Sequence, residues 1–484
     1  MNDAFDSAEP PGAHGRIAPK GALDEIRSAL GASGILEGEA LASLDGGWNA
    51  ANLNAGVMIC PAGAAEVAAV VGICVRHGVG IVPQGGRTGL VGGGVSHRGE
   101  IILSLHRMNR IERLDPIERV AVVEAGVTLE ALQTAAAAHG LEPCIDLAAR
   151  GSATLGGMAS TNAGGVMAFR YGVMRHRVFG LEAVLADGRI YNDLTRVVKN
   201  AAGYDLKHLF IGAEGTLGII TRLAVKLDPL PHGTATALFG LPSVAAALEV
   251  VRIALDAEGG HLRAAEALWR PYLALTAAAH RWSEPAIPIS QPIFLLLSLG
   301  GPQEAALRSA FESVFARTLE LYPDANGIVA SSGRQERDLW RLREDTGVIY
   351  RAYPNAPSFD VSVPLSEVEP YIERITRELT ALGKGFAPFL FGHLADGNLH
   401  IVFNHAGSFD ETTSIAVEAI LYRDLVGLGG SFSAEHGVGS KRIHSLVATA
   451  DETKLHAMGV VKRALDPKLI LNPGKVMDMS ARPR

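Results

Sequence analysis

Glycine is concentrated in the stretch PQGGRTGLVGGGV, which covers residues 83–95 and holds six glycines in thirteen residues. Glycine has no side chain to bury and loses the most conformational entropy on ordering, so this stretch cannot belong to a packed core. Successive backbone N–H groups in glycine-rich turns instead form concave sites that bind anions such as a diphosphate. Two further clusters follow, GSATLGGMASTNAGG at 151–165 and FIGAEGTLGIIT at 210–221. Three clusters in one domain-sized stretch are hard to explain as ordinary turns.

The composition is that of an ordinary folded protein and limits the classes of partner that it can bind. The 484 residues allow two or three domains, with 48% hydrophobic and 20% charged residues. A formal net charge of −7 argues against a nucleic-acid partner bound through its phosphates. No apolar run is long enough to span a bilayer, and the acidic start MNDAFDSAEPPGAHG is neither a secretory signal nor a transit peptide. Cys60, Cys74 and Cys144 lack metal-ligand spacing, so we expect buried thiols in a cytoplasmic protein, free in solution or peripheral to a membrane.

Hydrophobic periodicity predicts the elements that surround the first cluster. Apolar residues recur at helical spacing over 64–77, and Gly78 then ends the predicted helix. A short strand over 81–83 leads directly into the glycines. The sequence ADGR at 186–189 carries the Asp-Gly signal of a hairpin turn between two further strands.

The chain divides into four predicted segments. Residues 1–45 form an N-terminal segment, and residues 46–231 form an α+β unit whose glycine loops converge. A composition shift then begins residues 232–430, where apolar strands alternate with helices and predict an antiparallel sheet covered by helices. Residues 431–484 form a C-terminal segment that contains a helix.

A second group of chemically active residues begins at GHLADGNLHIVF, which contains His393 and His400. Asp396-Gly397 is a strong signal for a two-residue hairpin turn, which makes His393 and His400 directly opposed neighbours about 5 Å apart. Two imidazoles in that geometry suit one metal ion. The alternative is a hairpin with two surface histidines.

The stretch SFSAEHGVGSKR adds Glu435 and His436. Two histidines and one carboxylate form an open metal site that leaves room for water or substrate. Glu435 and His436 can serve one site only where the chain turns, and Gly437 and Gly439 permit such a turn. The alternative is a solvated loop that carries an acid and a histidine.

Taken in order, the motifs PQGGRTGLVGGG, ATLGGMASTNAGG, KNAAGYDLKHLFIGAEGTLGIIT, GHLADGNLH, AEHGVGSKR and LNPGK resemble those of the FAD-linked 2-hydroxyacid dehydrogenases. This family includes D-lactate dehydrogenase, the glycolate oxidase flavin subunit and D-2-hydroxyglutarate dehydrogenase, and the resemblance covers residues 46–476. It implies a two-subdomain FAD-binding domain of the vanillyl-alcohol oxidase and para-cresol methylhydroxylase type over 46–231. Residues 232–430 would be a substrate or cap domain, and residues 431–484 would complete the active site.

The resemblance also implies which residues contact FAD. Those of the first cluster would hold the diphosphate and let the cofactor pass closely, those of the second would line its ribityl and adenine side, and those of the third would lie by the adenine. Near the C-terminus, Asn472 would return to the flavin end, although an ordinary Asn-Pro-Gly turn explains it equally well. The full set is Gly85, Gly86, Arg87, Thr88, Gly89, Gly92, Gly93, Gly94, Ser152, Gly156, Gly157, Ser160, Asn162, Gly164, Glu214, Gly215, Ile220 and Asn472.

By the same resemblance, His393, His400 and Glu435 would bind a divalent metal, zinc or else manganese or iron. His436 would act as the base that takes the hydroxyl proton, because imidazole titrates near neutral pH. Arg343 would clamp the substrate carboxylate with two N–H groups, the alternative being a salt bridge to Glu344 or Asp345 on its own helix. Hydride would pass from the α-carbon to flavin N5 and give the 2-oxoacid.

Departures from the family pattern bear on the substrate. Members that act on D-2-hydroxyglutarate carry a threonine, a lysine and an asparagine where this chain has Gly347, Ser358 and Val402. The loss of these polar contacts argues against a second substrate carboxylate and for a smaller or more apolar acid. Arg341 or Arg351 could substitute for the lost contacts. The first cluster has no histidine, so FAD is expected to be noncovalent.

Several partners stay open at the level of sequence. The electron acceptor could be an electron-transferring flavoprotein, a quinone or a cytochrome, and a homodimer is common among relatives. The leading alternative to the enzyme is a non-catalytic flavin subunit that relays electrons within a larger oxidase complex.

Overall fold

The structure, a computed structural model, describes residues 18–284, 287–383, 385–407 and 409–479. The stretch MNDAFDSAEPPGAHG, to which the targeting prediction applies, therefore lies outside the described residues. Two compact units emerge. The glycine-loop unit contains residues 18–164, 171–230 and 435–479, whereas the sheet unit contains residues 165–170 and 231–434. Among the residues described, none of the helices is both long and apolar enough to cross a membrane.

The glycine-loop unit is built on two main sheets. The first is mixed, and its four strands in spatial order are Ile35–Glu37, Val57–Ile59, Ile101–Ser104 and Ile81–Gln84. The second is antiparallel, and its five strands in spatial order are Ile111–Asp115, Val120–Glu124, Ile219–Lys226, Val178–Val184 and Ile190–Asp193. A short ribbon pairs Leu141–Glu142 with Asp228–Pro229.

Helices cover these sheets, and the buried apolar residues form one large cluster with smaller clusters beside it. The helices of the unit are Lys20–Leu30, Gly38–Ala42, Ala64–His77, Leu129–Ala137, Leu155–Thr161, Met174–Arg177, Lys207–Phe210, Ile443–Thr449 and Glu452–Leu465, with 3₁₀ turns at Ala32–Gly34 and Ala50–Leu53. The helix Ala64–His77 buries the apolar face that its sequence predicts and ends at Gly78 in the left-handed conformation, with φ of 65°. One further short helix, Ala168–Tyr171, includes the residue at which the chain changes units.

The sheet unit is dominated by one antiparallel sheet. Its seven strands in spatial order are Asn326–Val329, Gly233–Leu241, Ile293–Gly301, His261–Trp269, Pro388–His393, Asn398–Phe403 and Ser358–Ser362. Its helices are Val244–Leu255, Arg270–His280, Glu304–Leu321, Gly333–Glu344, Gly347–Ala352, Val368–Leu382 and Glu411–Tyr422, with 3₁₀ turns at Leu365–Glu367 and Leu394–Asp396. The predicted α+β class is confirmed, and so is the antiparallel sheet predicted within residues 232–430.

Candidate active site

The first glycine cluster forms the loop that follows strand Ile81–Gln84, and it packs against the second cluster. A Cβ atom on Gly86 would lie 1.8 Å from the carbonyl oxygen of Ser152, and one on Gly85 would lie 2.2 Å from Oγ1 of Thr154. A side chain at Gly86 would therefore clash with backbone, and one at Gly85 would displace the hydroxyl of Thr154. The close backbone approach predicted from composition is therefore partly an approach to another segment of the chain.

The same loop presents a row of backbone donors. Within the described ranges, no backbone N–H group of residues 85–94 donates a hydrogen bond to another protein group. The buried oxygen Oε1 of Gln84, at the start of the loop, also has no protein partner there. Free N–H groups in succession suit the oxygens of a diphosphate, so the loop fits the FAD that the sequence motifs imply.

The second cluster is shaped by a short helix, Leu155–Thr161. Thr154 caps this helix by accepting a hydrogen bond from the N–H of Gly157, and Ser160 donates its hydroxyl hydrogen to the carbonyl of Gly156. Asn162 ends the helix in the left-handed conformation, with φ of 53°. Its side-chain oxygen accepts a hydrogen bond from the N–H of Arg175, so at least part of its polar capacity is used within the protein.

Glu214, in the third cluster, joins that cluster to the C-terminal residues of the same unit. Its two carboxylate oxygens accept hydrogen bonds from the N–H groups of Val438 and Gly439, at 2.7 and 2.9 Å. Burial raises the pKa of Glu214 above its usual range, although these two hydrogen bonds act in the opposite direction. The side-chain amide of Asn472 donates to the carbonyls of Glu214 and Gly93, and its oxygen Oδ1 is buried without a partner among the described residues.

Every residue predicted to contact the cofactor lies in the glycine-loop unit, and His436 lies there too, half-buried. Gly437 and Gly439 have φ of 82° and 53°, so the turn that they were expected to permit is present. A Cβ atom on Gly439 would lie 2.1 Å from the carbonyl oxygen of Val91. The loop that carries His436 is therefore packed directly against the first glycine cluster.

The predicted register of the histidine hairpin is wrong. His393 pairs with Asn398, and His400 pairs with Phe391, so the two histidines are not directly opposed. The turn is longer than two residues because Leu394–Asp396 forms a 3₁₀ turn with the side chain of Leu394 fully buried, and Gly397 closes it with φ of 73°. The shift is an even number of residues, so His393 and His400 become diagonal neighbours on the same face of the sheet.

Diagonal neighbours are still close enough to share an ion. The ring centroids of His393 and His400 are 5.4 Å apart, with the ring planes at 81°. Glu435 follows Ala434, the last residue of the sheet unit, by one peptide bond. The N–H of Ala434 is bound to Oδ2 of Asp360, which pairs with His400 across the strands. One ring nitrogen of His393 and one ring nitrogen of His400 lie within 4.8 Å of each other.

Glu266 is a buried acid in this region that the sequence reasoning missed. Its oxygen Oε1 lies 2.6 Å from Nδ1 of His393, and Oε2 lies 2.7 Å from Nε of Arg343. Arg343 therefore pairs with Glu266 and not with Glu344 or Asp345, the helix neighbours considered as partners. A carboxylate between apolar residues, in HLRAAEALW, was the available signal, because a buried acid almost always has a polar or charged partner.

Comparison with known families identifies both parts of the chain. The family model described as FAD linked oxidases, C-terminal domain, matches residues 230–476, and the one described as FAD binding domain matches residues 55–194.

Among similar proteins, D-2-hydroxyglutarate dehydrogenase from Xanthomonas citri pv. viticola is 35% identical over 87% of this chain and 89% of its own length. The mitochondrial D-2-hydroxyglutarate dehydrogenase of Bos taurus is 34% identical over 88% of this chain and 77% of its own length. Two solved structures share the fold at lower identity. One is p-cresol methylhydroxylase with bound substrate, which has a TM-score of 0.73 and 19% identity and matches 96% of this chain and 99% of its own. The other is the isoeugenol complex of 4-ethylphenol oxidase from Gulosibacter chungangensis, which has a TM-score of 0.72 and 18% identity and matches 96% of this chain and 98% of its own.

Proposed function

This chain belongs to the family of FAD-linked oxidases, and we propose that it oxidises a D-2-hydroxyacid to the 2-oxoacid and passes the electrons from FAD to a separate acceptor. The observation that carries this proposal is the pair His393 and His400, whose rings lie 5.4 Å apart on one sheet face. The histidine pair suits a metal ion, and a 2-hydroxyacid can bind that ion through its carboxylate and hydroxyl oxygens. Phenol oxidation on the same fold has no evident use for two such histidines.

FAD supplies the hydride acceptor when it is bound, and the glycine loops would hold it noncovalently. The unbonded N–H groups of residues 85–94 would bind the diphosphate. The buried oxygens of Gln84 and Asn472 lack protein partners in the described part of the chain, so each can accept an N–H from the cofactor. The remaining residues of the predicted set would line the cofactor as the family resemblance implies.

A divalent metal, zinc or else manganese or iron, would supply Lewis-acid chemistry at His393, His400 and Glu435. Arg343 would bind the substrate carboxylate through its two terminal nitrogens, since its Nε faces Glu266. His436 would take the proton from the substrate hydroxyl.

The substrate is proposed to be smaller or more apolar than D-2-hydroxyglutarate. Ser358 and Val402, which replace two polar residues of members that act on that acid, pair with each other across neighbouring strands, and Val402 is buried. Their side chains offer little to a second carboxylate. D-2-hydroxyglutarate nevertheless belongs in every substrate test, because the similar dehydrogenases are named for it.

Anaerobic reduction of the bound flavin tests the proposal. The purified protein is expected to be yellow, to contain a stoichiometric divalent metal, and to be bleached by a D-2-hydroxyacid from a panel of D and L acids. Removing the metal with a chelator should abolish bleaching and leave the flavin bound. A yellow, metal-free protein that no hydroxyacid reduces would overturn the proposal and favour the alternative, a subunit that only relays electrons.

A second test isolates the base. His436→Ala is expected to retain FAD and metal and to lose flavin reduction by the substrate. Unchanged turnover in this variant would remove His436 from that role. The electron acceptor, a homodimeric state and a cytoplasmic location are further proposals, which reoxidation assays with quinone, cytochrome and flavoprotein acceptors, sedimentation and cell fractionation would test separately.

A further inference from the structure

Glu266 lies in the middle of strand His261–Trp269 and is completely buried. Its neighbours along the strand are Ala265, Ala267 and Leu268, all buried and apolar. An ionised carboxylate in such surroundings is very costly unless charged groups compensate for it. The groups that face Glu266 are therefore expected to compensate for its charge.

Two positively charged or polar groups face the carboxylate from different elements. His393, directly across the sheet, approaches one oxygen at 2.6 Å, and Arg343, from helix Gly333–Glu344, approaches the other at 2.7 Å. Because a carboxylate can only accept hydrogen bonds, Nδ1 of His393 must carry the hydrogen and donate it. The second ring nitrogen, Nε2, then keeps a lone pair for an electrophile.

The contact of Glu266 with Arg343 differs in kind from its contact with His393. The Nε atom of Arg343 is close to Glu266 but is not aligned for a hydrogen bond, so the interaction is an ion pair. The guanidinium carbon Cζ of Arg343 lies 5.0 Å from the centroid of the Phe391 ring. The Phe391 ring in turn stacks on the Tyr272 ring, with the two centroids 4.3 Å apart. The Tyr272 hydroxyl donates to the backbone carbonyl of Arg343 at 2.8 Å. These contacts confine the guanidinium plane.

We propose that Glu266 is a positioning residue that orients a metal ligand and the substrate clamp with one carboxylate. This inference rests on the proposed function of His393 and Arg343. Oε1 would fix the tautomer and ring orientation of His393, and Oε2 would fix the guanidinium of Arg343. A carboxylate behind a metal-binding histidine raises the metal affinity, and its loss commonly weakens binding 10- to 100-fold.

The test uses the FAD-loaded protein with Glu266→Gln. Zinc affinity, measured by competition with a chromophoric chelator, is expected to fall at least ~10-fold, and the KM for the hydroxyacid is expected to rise together with it. Thr318→Val is the matched control, because it removes another completely buried polar group from the sheet unit, in helix Glu304–Leu321. The control should lower the melting temperature and leave both zinc affinity and KM at the wild-type values.

A second variant keeps the inference testable if Glu266→Gln does not fold. Glu266→Asp retains the charge, but its side chain is one methylene shorter and cannot hold both contacts, so zinc affinity or KM must change. Wild-type values of both in either folded variant would overturn the positioning role. A wild-type protein that binds no zinc and is reduced by no hydroxyacid would instead overturn the proposed function itself, so the two failures are distinguishable.

Discussion

Gly86 is a residue at which one methyl group decides whether two loops can meet. Its Cβ would lie 1.8 Å from the carbonyl oxygen of Ser152, which is backbone and cannot rotate away. Gly86→Ala is therefore expected to lower the free energy of unfolding by about 1–3 kcal/mol and to release FAD. Gly89, in the same loop, has open space around its Cβ position.

Gly89→Ala is accordingly the control for that prediction. We expect it to fold with the wild-type melting temperature, so any loss of FAD in this variant reports on contact with the cofactor. Thermal unfolding and flavin absorbance measure the two effects separately. Equal melting temperatures for both variants would show that the first and second clusters do not pack as described.

A second prediction about a single residue concerns Glu214. Glu214→Gln replaces one carboxylate oxygen by an NH₂ group that faces a backbone N–H, so the free energy of unfolding should fall by about 1–3 kcal/mol. Because burial raises its pKa in the folded state, the folded protein binds the proton more tightly than the unfolded chain. The contribution of Glu214 should therefore be greatest in acid and decline as the pH rises through the folded pKa.

The check is the difference in melting temperature between wild type and Glu214→Gln, measured as a function of pH. This difference should shrink from its acidic value as the pH rises above the usual range of a glutamate. A difference that grows with pH in that window would contradict the assigned direction.

At the scale of elements, the turn of the histidine hairpin depends on Gly397. Its φ of 73° is left-handed, and a Cβ there would lie 2.0 Å from the carbonyl oxygen of Val363. Gly397→Ala is expected to cost about 2–3 kcal/mol and to weaken metal binding, because the turn sets the offset of His393 and His400. Zinc titration and thermal unfolding measure the two effects.

Gly333→Ala provides the comparison in the same unit. Gly333 begins a helix, and a Cβ there would meet only the end of the flexible Arg337 side chain, at 3.5 Å. We expect unchanged zinc binding and an unfolding free energy equal to or slightly above wild type. If Gly397→Ala behaved in the same way, the turn would not determine the histidine geometry.

The sequence predicts elements well where the local signal is strong and no tertiary contact competes. The helix Ala64–His77 has the predicted bounds because its apolar periodicity and Gly78 agree. The hairpin register failed because burial of Leu394 extends the turn, and a two-residue signal contains no information about that burial. Glu266 was missed for a related reason, since its partners come from a helix and a strand distant in sequence.

At the scale of the whole molecule, all three cysteines are buried and none of them forms a disulfide. Burial raises the pKa of Cys60 to about 11 and that of Cys74 to about 12, so very little reactive thiolate exists at neutral pH. The native protein should therefore react only slowly with a small thiol reagent, and all three thiols should react after denaturation. Rapid labelling of the native protein would show that the core is less closed than described.

The glycine-loop unit is assembled from chain segments far apart in sequence, and its last contributor is synthesised after the whole sheet unit. Asn472 bridges Glu214 and Gly93, and the N–H of Asn472 donates to the carbonyl of Ile81. A nascent chain on the ribosome thus exposes its glycine loops through translation of the whole intervening sheet unit before Asn472 becomes available. Cofactor capture is consequently expected only after residue 472 has been synthesised, and a premature stop shortly before residue 472 should yield a chain that cannot retain flavin.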